Sequence, residues 1–295
     1  MLDNESMLRL TSGPQRVAER LIEYLPASKR SSVRRRFRER LVNDYISKRV
    51  GPSFQPVDRG PAAPPELVAQ TSAMRAQDVE SAAAPDEYFG GGYLGLMLFL
   101  RLLERSGFNL RTLGSVLDFG CGNAKVIRLL RCINGVRLVG CDVNPAQIEW
   151  DRANVPGVTF FLSRLEPPLE FAADDEFDLI IAASVFTHIP LDAQSAWIAE
   201  MRRVLRPGGY FLCTLAGAAH AARQLSPEQR TLLEQEGRFT LVADDPGASH
   251  ATKETRQWDV FQTRSEVIEA FSPHLEIVDY VTDPFGQDNL VLRRA

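Results

Sequence analysis

The run Val116-Leu117-Asp118-Phe119-Gly120-Cys121-Gly122-Asn123-Ala124-Lys125 joins an apolar strand, a carboxylate near its end and two glycines one residue apart. Glycines in a turn let backbone approach a ligand closely and take dihedrals that other residues avoid. A dinucleotide pyrophosphate wants a third small residue at position 125 and no acid beside it. Lys125 and Asp118 fit that ligand poorly, whereas an ammonium group beside a ribose suits Asp118. Asp142 lies 22 residues past Gly120, near the spacing at which an acid meets ribose hydroxyls. His188 follows a long apolar run at the rim where open α/β sheets bind ligands. It is either a general base or a histidine that bonds its own loop. His220 and His250 are placed to face an acceptor as well, and His274 reads as surface. No carboxylate–histidine spacing supports a metal site.

Holding these groups together requires strand–helix alternation, which begins near Tyr93. The pattern predicts helices over 94–105, 124–132, 145–153, 192–205 and 263–271. Strands are expected over 115–119, 136–141, 158–162, 177–184, 209–215, 275–281 and 289–293. The continuous apolar run from Phe177 is that of a central strand buried on both faces. Alternation implies a parallel sheet, and the short last turn requires an antiparallel final strand. Three regions divide the chain: an N-terminal helical arm (1–50), a Pro/Ala-rich linker (51–85) and a main domain (86–295). Within the arm, helices are expected over 15–25, closed by Pro26, and along 29–45, where Val33, Phe37, Leu41 and Tyr45 recur every four residues. The main domain carries an insertion, 216–259, expected to cap the acceptor. Gly90-Gly91-Gly92 is expected to act as a hinge, and Gly286-Gln287-Asp288 either touches the acceptor or is a solvated turn.

The stretch from Asp118 resembles motif I of the class I S-adenosylmethionine-dependent methyltransferases, Asp-x-Gly-x-Gly-x-Gly, with Ala124 in place of the third glycine. Four further segments match that family in order. They are Gly140-Cys141-Asp142-Val143-Asn144, Ser163-Arg164-Leu165, Phe177 through Ile189 with its Ser184-Val185-Phe186-Thr187-His188 run, and Leu205-Arg206-Pro207-Gly208-Gly209-Tyr210. The resemblance implies a Rossmann-like α/β fold with a mostly parallel seven-stranded sheet, order 3-2-1-4-5-7-6, the last strand antiparallel. It implies S-adenosyl-L-methionine as cofactor, held by Asp118, Gly120, Cys121, Gly122, Asp142, Val143, Asn144, Ser163, Arg164, Leu165, Ser184 and Val185. Asp142 would accept the ribose hydroxyls, and Tyr88 and Tyr93 would close over the methionine end. The implied reaction is methyl transfer by in-line displacement, with His188 as base if the acceptor atom is oxygen.

Composition narrows the class of acceptor. Of 295 residues, 34 are Lys or Arg and 38 Asp or Glu, a net charge of -4 that does not suit general nucleic-acid binding. Basic charge is concentrated in 29–40, with seven basic residues and one acid. The capping insertion 216–259, and a resemblance to bacterial methyltransferases with the Ser-Val-Phe-Thr-His run and a Gln-Asp before the last strand, imply a small molecule or glycan as acceptor. RNA or protein methylation through the basic arm is the alternative, and a catalytically silent partner subunit is a third reading. The arm would serve a homodimer, a partner protein or the site itself. Four cysteines without a CxxC pair read as reduced thiols. With no secretory pattern and no apolar run of spanning length, a cytoplasmic protein without a membrane segment is expected.

Overall fold

Unbroken apolar segments dictate the centre of the molecule. β1 (Ser115–Phe119) and β4 (Phe177–Ala182) are buried along their whole length. The computed structural model describes residues 21–71, 84–242, 258–282 and 286–295. Beside these strands lie β2 (Arg137–Asp142), β3 (Thr159–Leu162) and β5 (Leu205–Leu215), all parallel. Two late strands, β8 (Glu276–Val281) and β9 (Asp288–Arg293), complete a sheet of order β3-β2-β1-β4-β5-β9-β8. β9 is antiparallel to both neighbours. Counting β8 and β9 as six and seven, this is the order 3-2-1-4-5-7-6. The order reverses between β1 and β4, where an open α/β sheet leaves its crevice.

One face of the sheet is covered by α1 (Ala27–Val50) and α3 (Ala84–Arg105). Val42, Ile46, Leu96, Leu100 and Leu103 from these helices share a core with Val116, Ile127 and Leu179. The other face is covered by α5 (Leu191–Val204) and α8 (Arg264–Phe271), through Trp197, Ile198, Met201, Val267 and Phe271. α4 (Pro145–Asn154) follows β2 and is capped by Asn144, whose side chain accepts from the Ala146 and Gln147 amides. Such a cap satisfies amides that lack an intrahelical partner.

Several expectations need correction. Residues 124–132 form no α-helix; a 3₁₀ helix spans Ile127–Cys132. Ala124 stands at φ +53°, which α-helix cannot continue, and the Arg128 side chain takes the Asn123 and Ala124 carbonyls. The glycine run is no hinge: Gly90–Gly92 lie inside α3, which begins ten residues before the expected helix. A Cβ on Gly92 would stand 2.9 Å from Lys125, so the small residues permit close packing. The linker region holds α2 (Pro65–Thr71), and its proline-rich part straps onto the 3₁₀ helix. There Gln55 N–H donates to the Cys132 carbonyl (2.8 Å) and Arg128 to the Pro61 carbonyl (2.7 Å).

The insertion has structure of its own: α6 (Ala218–Gln224), α7 (Pro227–Glu236) and an antiparallel pair, β6 (Arg238–Val242) and β7 (Trp258–Gln262). Ser226 and Gln229 form a reciprocal capping box at the start of α7. Most of the helix expected over 15–25 falls outside the described residues, as do His250 and the middle of the insertion.

Candidate active site

Strand ends at the switch point enclose a cavity of about 250 Å³. β1 delivers Asp118 and the glycine turn, β2 delivers Asp142, the loop after β3 Ser163 to Leu165, and the loop after β4 Ser184, Val185 and His188. The turn is pinned to β2, since the Gly120 and Cys121 amides donate to the Cys141 carbonyl at 2.8 and 2.9 Å. Gly120 and Gly122 take φ +70° and +53°. At Gly120 a side chain is excluded twice over, because its Cβ would collide with Val185 Cγ2. Ala124 adopts the same left-handed region as its glycine neighbours, so the turn keeps its shape with alanine in third place.

The cavity is rich in acid. Asp142 accepts the Gly122 amide on Oδ2 and the Asn144 amide on Oδ1, both at 2.9 Å, which fixes its carboxylate plane. Asp118 is buried, and loss of solvent pushes its carboxyl up to about 7, with Asp142 adding repulsion. Behind the turn, burial pushes Asp151 up to about 8 in the same sense, although Arg128 lies 3.9 Å away. Lys125, from the same turn, is pulled below its ordinary value by burial.

His188 is oriented by the insertion. Its Nδ1 is 3.0 Å from the Trp258 carbonyl and 3.2 Å from Asp259 Oδ1. A carbonyl only accepts, so Nδ1 carries the proton and Nε2 is left as the basic nitrogen. The loop itself is held by the His188 amide on the Val185 carbonyl and by the Val260 amide on the Thr187 carbonyl, each 2.8 Å.

Of the residues selected from sequence, the cavity gathers Asp118, Gly120, Cys121, Gly122, Asp142, Val143, Asn144, Ser163, Arg164, Leu165, Ser184, Val185 and His188. Tyr88 and Tyr93 do not line it. Both are buried in α3, where the Tyr88 hydroxyl donates to the Asn123 carbonyl (3.0 Å) and braces the turn from behind. His220 does not line it either; its Nδ1 lies 2.5 Å from the Gly286 carbonyl. Sequence reasoning missed Asn123, Lys125, Gln147, Trp197 and Asp259. Lys125 was visible only as an obstacle to a dinucleotide. Trp197 shows in sequence as an apolar helix position, yet its Nε1 donates to the Leu165 carbonyl (3.1 Å) at the cavity wall. Asp259 is 71 residues from His188, and no local spacing announces the pair.

Among the described residues no helix is long and apolar enough to cross a membrane, and no cluster of His, Cys, Asp or Glu is arranged for a metal.

Residues 116–209 match a family model described as a methyltransferase domain. The malonyl-[acyl-carrier protein] O-methyltransferase of Hahella chejuensis (strain KCTC 2396) is 29% identical over 131 residues, 39% of this chain and 46% of that protein. The phthiotriol/phenolphthiotriol dimycocerosates methyltransferase 1 of Mycobacterium ulcerans (strain Agy99) is 35% identical over 106 residues, 34% of this chain and 36% of that protein. The matches thus span less than half the length of these curated relatives. The PH0226 protein of Pyrococcus horikoshii OT3 shares the fold at a TM-score of 0.51 and 18% identity, over 74% of this chain and 94% of its own. The motif order, the strand order and the matched segment 116–209 agree in supporting a class I S-adenosylmethionine-dependent methyltransferase domain.

Proposed function

We propose that the chain transfers a methyl group from S-adenosylmethionine to an oxygen of a small-molecule or glycan acceptor, with His188 as general base. The observation that carries this reading is cavity-lining His188 with Nδ1 3.0 Å from the Trp258 carbonyl and 3.2 Å from Asp259 Oδ1, which leaves Nε2 as the nitrogen able to accept a proton. An oxygen nucleophile must shed its proton as it attacks, and a positioned base contributes about 10²–10⁴-fold to such a step. The O-methyltransferase name of one relative is in keeping with oxygen as the atom methylated.

The residues present fit the cofactor. The glycine turn puts side-chain-free backbone of Gly120 and Gly122 in the cavity lining, and the cavity joins one buried carboxyl to one fixed carboxylate. When bound, the sulfonium supplies a methyl carbon already activated for displacement. Asp118 would attract the positive end of the ligand, Asp142 would accept from the ribose hydroxyls, and Ser163, Arg164 and Leu165 would flank the adenine. The rest of the catalysis is alignment, for which positioning alone is worth about 7–11 kcal/mol in favourable cases. The insertion 216–259 would wall the acceptor and thereby exclude water.

Charge on the arm gives little support to a nucleic-acid acceptor. Arg34 pairs with Glu23, Arg35 with Glu39 (2.7 Å) and Asp86 (2.5 Å), and Arg38 donates to the Gly90 carbonyl. Part of the basic stretch is thus engaged by other groups of the protein. The working location is taken to be the cytoplasm.

The test is incubation with a labelled methyl donor and fractionated cell extract, followed by mass spectrometry of what is labelled. His188→Gln should lower turnover about 10²–10⁴-fold while S-adenosylhomocysteine binding is retained. Turnover at the wild-type rate would remove His188 as the base. Asp142→Ala should abolish cofactor binding in calorimetry.

A further inference from the structure

An anion at the glycine turn finds little backbone to bind. In open α/β folds the amides that open the next α-helix commonly hold one. Here a 3₁₀ helix follows the turn and no α-helix does. The Gly120 and Cys121 amides donate to the Cys141 carbonyl at 2.8 and 2.9 Å, the Gly122 amide to Asp142 at 2.9 Å and the Ala124 amide to the Cys121 carbonyl at 2.9 Å. Those donors are engaged within the protein.

The turn offers a side chain instead. Lys125 lines the cavity, and its stem is lodged against α3, where a Cβ on Gly92 would stand 2.9 Å from its Cγ. The ammonium lies 5.6 Å from the centroid of the Tyr88 ring, a contact that favours a cation without neutralising it. Burial pulls that ammonium below its ordinary value, and no carboxylate offsets the pull. The cavity's other cationic side chain, Arg164, is mostly exposed and has Glu170 at 3.0 Å. Among the described residues, Lys125 is thus the cavity-lining cation without an acidic partner. A cation withdrawn from water is costly unless a ligand brings the opposite charge.

We infer that Lys125 is a cofactor-specificity residue whose ammonium pairs with the α-carboxylate of S-adenosylmethionine. The inference rests on the proposed pose, in which Asp118 faces the positive end of the cofactor and Asp142 the ribose. One turn then reads both charges of the amino-acid end, which a bare nucleoside lacks.

Calorimetry on the full chain compares S-adenosylmethionine with its decarboxylated analogue, which keeps the sulfonium and the ammonium but lacks the carboxylate. The wild type should bind S-adenosylmethionine about tenfold tighter or more, the scale of one charge-assisted hydrogen bond. Lys125→Met keeps the stem and removes the charge, so this preference should vanish or reverse while the analogue binds no more weakly than before. 5′-Methylthioadenosine, which lacks the whole amino-acid end, should bind both proteins alike and so reports an intact fold. Equal affinity of the wild type for S-adenosylmethionine and the analogue overturns the inference. So does a Lys125→Met protein that keeps the full preference, the outcome if the lysine serves a carboxylate of the acceptor. Equal weakening toward all three nucleosides marks a merely structural lysine and overturns it as well. A wild type that binds none of the three would bring down the cofactor reading, and this inference with it.

Discussion

Asp118 carries two consequences that share one cause. Burial holds its carboxyl up at about 7. A cationic ligand favours the ionised form, so affinity for S-adenosylmethionine should climb between pH 6 and 8, by up to about tenfold per unit below the pKa. Calorimetry in buffers of different protonation enthalpy should register proton release, and Asp118→Asn should bind more weakly with a flat pH response. For the ligand-free protein the sign is the reverse. A carboxyl raised in the folded state lends stability that is full below its unfolded value and is lost as pH rises through 7 for Asp118 and through 8 for Asp151. Melting temperatures at pH 5 and 8.5 should show Asp118→Asn gaining on the wild type at the higher pH. Both acids of the cofactor side stood out in the sequence because each ends a strand next to a glycine or an Asn-Pro cap, which are local signals. Asp259 did not, because only the folding of the insertion brings it within 3.2 Å of His188.

At the scale of elements, the glycine turn works by exclusion. Gly120→Ala places a methyl against Val185 Cγ2 in a left-handed backbone position. A loss of about 1–3 kcal/mol of stability is expected, together with loss of cofactor affinity. Val185→Ala in the same chain should restore part of the stability by removing the collision, though not the backbone strain. Denaturant unfolding of the single and double variants measures this, and a double variant no better than the single would contradict the steric account. Each expected strand lies within a few residues of an observed one, and for β1 and β4 the reason is an apolar run buried on both faces, which has little other place to go. The 3₁₀ helix at Ile127–Cys132 was not legible. It follows Ala124 at φ +53° and the Arg128 side chain on the Asn123 and Ala124 carbonyls, and no pattern of polarity encodes either. The glycine run misled for the opposite reason: three small residues read as freedom, while here all three are helical and Gly92 admits Lys125 against the helix.

On the scale of the whole molecule, the arm shares the core that supports the cofactor turn. Ile46 on α1 is fully buried in the same cluster as Ala124 and Ile127. Ile46→Ala should cost about 2–5 kcal/mol, as buried large-to-small changes do. Unfolding should remain a single transition in both fluorescence and S-adenosylhomocysteine binding, and two separated transitions would show the arm to be an independent unit. The insertion is joined just as closely, but to the opposite edge. Its strand β7 offers the Trp258 carbonyl to His188 and the Val260 amide to the Thr187 carbonyl. The wall that is expected to choose the acceptor is thereby the same piece of chain that sets the tautomer of the proposed base. Grafting a foreign insertion here to alter specificity would unseat that imidazole as well, so substrate range and proton handling would be inherited as a single trait, and chimeras that preserve 258–260 should be the ones that stay active.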